Sequence, residues 1–408
     1  MIESLCRSIV LRSLERLERG ALRVEDANGS HEFGKTSDDA PTPFSVRVRS
    51  PRFWSSLVLG GSMGGSESFL RGEWETDDLT GLLRLLLRDE QVLGGFDGAF
   101  GRAGEAMRRL GHRLRRNSRS GSQRNIRAHY DLGNEFFALF LDPTLTYSAG
   151  IFERDDASLE AASIAKYERL CRKLALRRGD HVLEIGTGWG GFALHAARTR
   201  GCRVTTTTLS PAQREVACER VARAGLADRV TVLLEDYRSL RGQYDKLVSI
   251  EMIEAVGHEY FDAYFRACSD RLTPDGLMAL QAILIDEPLY ERARRTVDFI
   301  KWHIFPGGCL PSLGAITRSV ARAADLRIVH LEDLTPHYAR TLDHWGARFR
   351  ANRGEIGALG YPEELLRSFE FYFSYCAAGF LERRTSCAQL VLAKPANRRA
   401  PILGGLGA

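Results

Sequence analysis

The chain has 408 residues, 44% hydrophobic and 27% charged, a soluble globular composition with length for about two or three domains. No apolar run approaches the roughly 20 residues of a spanning helix. The N-terminal stretch lacks a signal-peptide core, so a cytoplasmic protein is expected. The eight cysteines are scattered with no C-x-x-C pair, against zinc and against a disulfide framework. The net charge of +5 is modest but unevenly spread.

Residues 1–89 read as a small α+β module: helical spacing over Ile2 to Leu17, a short alternating segment Phe44 to Val48, and a helix near Leu79 to Arg88. None of its polar residues has metal-like or triad-like spacing. A glycine- and arginine-rich linker follows. Eight arginines (Arg108, Arg109, Arg113, Arg115, Arg116, Arg119, Arg124 and Arg127) fall in 20 residues that hold no acid. Such a run is a solvated linker or an attraction to anionic lipid headgroups. Without interleaved aromatics or a recognisable binding module, nucleic acid is the weaker reading. His129 to Phe152 gathers aromatics around turn residues, either a cap over a sheet edge or a lid shielding a cation.

From Lys166 onward strand and helix patterns alternate, the sign of a doubly wound, mostly parallel sheet. Strands are expected at His181–Ile185, Arg203–Thr208, Val230–Leu234, Lys246–Ile250 and Met278–Ile285, and helices at Pro211–Ala224 and Tyr290–Trp302. A closing antiparallel pair is expected at Arg327–Leu331 and Gln389–Ala393.

The organising stretch is VLEIGTGWGG, Val182 to Gly191. A buried strand runs into a turn where Gly186, Gly188 and Gly190 leave no Cβ between backbone and ligand. Glu184 aims a carboxylate into the crevice at the carboxyl edge of the sheet, where open α/β sheets bind ligands. The glycines also satisfy a dinucleotide pattern, but that needs an acid ending the next strand; here it ends TTTTLS. An acid ahead of the glycines suits the cationic S-adenosylmethionine better than a pyrophosphate.

Taken with TTTTLSPAQ, LLEDYRSL, EMIEAVGHEYFDAYF, IFPGGCLPS and FYFSYCAAGF, the chain from about Phe44 to Lys394 resembles the cyclopropane-fatty-acyl-phospholipid synthases. These are S-adenosylmethionine-dependent methyltransferases acting on unsaturated acyl chains. The resemblance implies an α/β class I methyltransferase fold, a doubly wound mostly parallel sheet, with a small α+β N-terminal domain. The expected division is an N-terminal domain at 1–93, a basic linker at 94–125, the methyltransferase domain at 126–395 and a tail at 396–408. It implies a cytoplasmic enzyme, peripheral on the inner face of the membrane, acting on phospholipid acyl chains and drawn to anionic headgroups by the Arg108–Arg127 run; a homodimer is left open.

Position by position, the resemblance places the cofactor against Tyr147, Ser148, Gly186, Gly188, Thr208, Gln213, Asp236 and Tyr237, with Asp236 accepting the adenine amino group and Tyr237 flanking the ring. Ser210, before Pro211, reads as a helix cap. The catalytic set it implies is Glu254 and Tyr338, around a bicarbonate acting as base. Where the family has a cysteine the chain has Ala149, and Gln281 stands where it has a histidine. Bicarbonate held by Glu254, Tyr338, Gln281 and the Ala149 N–H would give a cyclopropane; a hydride shift with proton loss would instead give a methylene-branched chain, the precursor of 10-methyl fatty acids. The departures also admit a non-catalytic lipid-binding relative. Cys376 matches a position once regarded as catalytic, although a helical core place suits a free cysteine better. Isolated histidines such as His258, His303 and His337 show no ligand spacing, and no metal is expected.

Overall fold

The computed structural model describes residues 2–36, 42–89, 91–92, 94 and 132–402. The arginine run at 108–127 lies outside the described residues, as do His129 and Tyr130. The described residues form two compact units: 2–94 with 295–306 and 342–384, and 132–294 with 307–341 and 385–402.

The first unit holds a four-stranded sheet in the order β2-β1-β3-β4, formed by β1 (Ala21–Asp26), β2 (Gly29–Gly34), β3 (Phe44–Val48) and β4 (Trp74–Glu75). The helix Glu363–Leu381 packs on Leu79–Arg88 and Arg52–Leu70, and Glu382 just beyond it takes both Arg84 and Arg88. Its buried stripe of Phe369, Phe371, Tyr372 and Phe373 explains why segments expected within a continuous methyltransferase domain cluster here. The helix expected over Tyr290–Trp302 divides: an α-helix covers Glu287–Ala293 and a π-helical turn Ile300–Ile304. Asp298 accepts the Lys301 N–H at 2.9 Å, capping a new turn rather than continuing the old one.

The second unit is built on a seven-stranded sheet of order β10-β11-β9-β8-β5-β6-β7. Its strands are β5 (His181–Ile185), β6 (Arg203–Thr207), β7 (Val230–Leu233), β8 (Tyr244–Ile250), β9 (Leu272–Ile285), β10 (Arg327–Asp333) and β11 (Thr385–Ala393). Pairing is parallel from β7 to β9 and antiparallel through β11 to β10, the class I methyltransferase layout. Alternate residues feed two cores. Leu183, Leu247, Met278, Leu280 and Leu390 face one side, with the helices Phe261–Asp270 and Leu313–Ala323. Val182, Val204, Val248, Ala279 and Val391 face the other, with Leu159–Leu174 and Gly191–Arg200. Burial on both faces is why these strands read as apolar runs. Chain order reverses at β5, between β6 and β8, so a crevice opens at the carboxyl ends of β5 and β8. No helix among the described residues is long and apolar enough to cross a membrane.

Candidate active site

The turn after β5 divides its glycines by task. Gly186, Gly188 and Gly190 have φ of 103, 52 and 84°, left-handed values that favour glycine. A Cβ at Gly188 would meet nothing within 4 Å, so this is the side open to a ligand; one at Gly190 would lie 3.4 Å from Ala217 Cβ. That is ordinary contact distance, whereas a Cβ at Gly191 would collide with Tyr167, so Gly191 serves helix packing.

Glu184 is 2% exposed and lies in register with Thr206 on β6. Burial pushes it up to about 8, against the opposing Thr206 hydroxyl and Lys166 ammonium. Its Oε2 is buried without a hydrogen-bond partner. A buried acceptor left unpaired is costly, and a cationic ligand end would satisfy it. The turn and this carboxylate fit S-adenosylmethionine, whose amino group and sulfonium are cationic.

The neighbouring expectations divide. The Lys166 ammonium donates to Ser148 Oγ at 2.7 Å. Lys166 is fully buried, and burial pulls it down to about 8 although Glu251, Asp142 and Glu184 oppose that. Thr208 donates to Gln213 Oε1 at 2.9 Å, which fixes that oxygen as an acceptor. Ser210 accepts from the Gln213 N–H at 3.2 Å, the expected cap. Asp236 departs from expectation: Arg238 bonds both its oxygens, at 2.7 Å each, leaving only its spare lone pairs for an adenine amino group. Tyr237 departs further, standing edge-on to Tyr264 at 5.5 Å within the hydrophobic core. Phe136, Phe137 and Phe140 are fully buried; Phe137 packs with Tyr147 at 5.4 Å and Trp189 at 5.2 Å, and Phe140 with Tyr147 at 6.0 Å.

At the end of β8 lies a group that sequence reasoning passed over. Glu251 has φ of 50°, a left-handed conformation that costs a non-glycine residue about 1–2 kcal/mol. Its Oε1 accepts from the Ala149 N–H at 2.9 Å and from Gln281 Nε2 at 2.7 Å, and its Oε2 accepts from the Tyr338 hydroxyl at 2.6 Å. Three of the groups expected to hold a bicarbonate therefore hold the chain's own carboxylate. Gln281 also donates to Ala149 O at 3.3 Å and accepts from Gln389 Nε2 at 2.9 Å. Because the Ala149 carbonyl can only accept, Gln281 must present its NH2 to the cage. The sheet enforces this, since Gln281 is in register with Ile250 on β8 and Gln389 on β11.

Glu254 sits beside this cage. Its Oε1 accepts from the Ile283 N–H at 2.6 Å, and its Oε2 is buried without a hydrogen-bond partner. Burial and then the adjoining Glu251 push it up to about 8. Glu251 is also raised, by burial, but Tyr338, Gln281 and Ala149 pull it back toward ionisation. The site therefore pairs a carboxylate held by donors with one inclined to carry a proton. Cys387, buried beside Glu251, has its thiol pushed up by burial and both carboxylates. Cys376 belongs to the first unit, on Glu363–Leu381, where burial and Asp298 push its thiol up. That suits a packing residue, not a nucleophile. Glu251 was legible as the opening residue of EMIEAVG at a strand end; Lys166 had no signal beyond its place on a buried helix face.

The family described as Mycolic acid cyclopropane synthetase matches residues 117–390. The chain is 40% identical over 331 residues to the tuberculostearic acid methyltransferase UfaA1 of Mycobacterium tuberculosis, covering 78% of this chain and 76% of that one. It is 36% identical over 361 residues to the cyclopropane-fatty-acyl-phospholipid synthase of Escherichia coli, covering 86% and 88%. The crystal structure of the mycolic acid cyclopropane synthase CmaA1 complexed with SAH and CTAB superposes with a TM-score of 0.63 at 36% identity, covering 67% of this chain and 98% of that one. With that match over most of its length and the crevice built as such a site requires, the chain belongs to the mycolic acid cyclopropane synthetase family and is an S-adenosylmethionine-dependent methyltransferase of lipid acyl chains.

Proposed function

We propose that the protein methylates the double bond of an unsaturated acyl chain in a membrane phospholipid and releases a methylene-branched chain. S-adenosylmethionine, when bound, supplies an electrophilic methyl group. The residues proposed to hold it are Glu184, Gly186, the open side at Gly188, Tyr147, Ser148 and Gln213. An alkene is a poor nucleophile, so its productive encounter depends on positioning in a dry crevice. Methylation of one alkene carbon leaves a cation on the other, and the fate of that cation depends on when the new methyl group loses a proton. Early loss closes a cyclopropane. A hydride shift before that loss moves the cation to the methyl-bearing carbon and yields a methylene branch. Both outcomes need a base over the same methyl carbon.

The observation that carries the methylene reading is the cage itself. Ala149 offers only its N–H and carbonyl, and Gln281 cannot accept a proton at neutral pH. The remaining carboxylate, Glu251, is held by three donors, which weakens it as a base and gives the hydride time to move. The 40% identical relative is also named for a fatty acid methyltransferase, not for ring closure. A cyclopropane product is the second reading, favoured by the broader coverage of the cyclopropane-forming relative and by the presence of Glu254 and Tyr338 in the chain. The arginine run at 108–127 is assigned to anionic headgroups, which would bring the crevice to its substrate at the membrane surface.

The test is mass spectrometry of fatty acids from cells expressing the protein, fed oleate and methyl-deuterated methionine. The expected product keeps all but one of the methyl deuteriums and co-elutes with a methylene-branched standard. Co-elution with the cyclopropane standard would select the second reading. Absence of label from every acyl chain, with cofactor binding intact, would overturn both.

A further inference from the structure

We infer that Glu251 is the built-in base of the reaction, seated where a diffusible anion would otherwise have to bind. The inference rests on the acyl-methylation reading above and names the group that completes it. Three observations support it. The Glu251 carboxylate is gripped by donors from three separate segments: the Ala149 N–H, Gln281 Nε2 on β9 and the Tyr338 hydroxyl. Its backbone is held in a left-handed conformation, φ 50°, a strain that persists only where the surroundings over-determine it. The second carboxylate, Glu254, keeps a buried oxygen without a hydrogen-bond partner but cannot serve as readily, because burial and the adjoining Glu251 incline it to hold a proton. A seat whose donors Ala149 and Gln281 can only donate calls for an anion, and the chain supplies its own.

The step balances without any outside group. A C–H bond of the newly transferred methyl breaks, and its electron pair forms the C–C or C=C bond that quenches the cation. The proton passes to a Glu251 oxygen, leaving a neutral acid that returns the proton to water after product release. Glu254, Lys166, Cys387 and the Tyr338 hydroxyl are the titratable groups that face this exchange.

The test uses the full-length protein with dioleoyl phosphatidylglycerol vesicles and labelled S-adenosylmethionine. Wild type is expected to run at the same rate in bicarbonate-stripped and bicarbonate-containing buffer. Glu251→Gly removes the base while suiting the left-handed backbone, and should slow formation of the finished acyl product by about 10²- to 10⁴-fold, the usual worth of a general base. Formate or bicarbonate should restore a measurable part of that rate by filling the vacated seat. Glu251→Gln keeps the bulk of the side chain and should be as slow but not rescued. A second readout is independent of turnover: formate or bicarbonate should raise the melting temperature of E251G and leave wild type unmoved. Loss of wild-type activity on removing bicarbonate, or E251Q within about threefold of wild type, would overturn the inference. A wild type that methylates no acyl chain would sink the underlying functional reading instead. The anion-dependent melting of E251G would still decide whether the seat takes a diffusible anion, its absence counting against the inference.

Discussion

The turn after β5 and the cage after β8 stand side by side on one sheet and are made in opposite ways. The turn is backbone: glycines in left-handed conformations and one carboxylate, all within a few residues of each other. The cage is side chain, assembled from a loop, two strands and a helix far apart in sequence. A backbone site tolerates almost no added atom, whereas a side-chain site loses function by degrees.

The sharpest break of that comparison comes within the turn. Gly188→Ala places a methyl group into the open side and should cut S-adenosylhomocysteine affinity by about 100-fold, with a stability cost near 1 kcal/mol for its left-handed φ. Gly191→Ala should do the reverse: its methyl group collides with the Tyr167 ring, costing about 1–3 kcal/mol as overpacking does, and affinity should change little once folded. Calorimetric binding and denaturant unfolding on both variants would check this, and equal effects on affinity would dissolve the distinction.

Glu184→Gln should weaken S-adenosylhomocysteine binding by about 10- to 100-fold, the loss of one charge-assisted contact. Its pH signature is specific. Glu184 is raised to about 8, so a cationic ligand draws a proton off it, and affinity should climb as pH rises toward 8 and then level. Buffer-dependent binding enthalpies would register that proton release in wild type and lose it in E184Q. The unliganded protein should show the converse in stability. A carboxylate raised from about 4.5 to about 8, as Glu184 and Glu254 are, stabilises the fold fully below the unfolded value, and that contribution is lost as pH rises toward 8.

The mildest change falls on the cage. Tyr338→Phe removes one of the three donors that seat Glu251 and, by letting the carboxylate shift from its place, should lower kcat by about 10-fold, the worth of one hydrogen bond to a charged group, while cofactor affinity holds. A matching loss in both would mean that turn and cage are one site energetically.

Much of this was legible in sequence, for a physical reason. The strands His181–Ile185 and Arg203–Thr207 are buried on both faces and bounded by turn residues, so local pattern suffices, and the glycine turn is local too. The cage was half legible. Ala149, Gln281 and Tyr338 were identified through resemblance, but what they hold was not, because Glu251 reaches them only through the register of β8, β9 and β11. Tyr237 misled because an aromatic beside a strand end is equally at home over a ligand or in a core, and only burial separates the two. The helix Glu363–Leu381 gave no local hint that it packs with Leu79–Arg88, almost 300 positions earlier.

The left-handed backbone at Glu251 has a genetic corollary. Glycine is the residue that adopts φ near 50° at least cost, and its codons differ from those of glutamate at a single base. One transition can therefore exchange a tethered anion for an open seat without disturbing the chain path. On the base role inferred above, such a change exchanges a self-sufficient enzyme for one that depends on a dissolved anion.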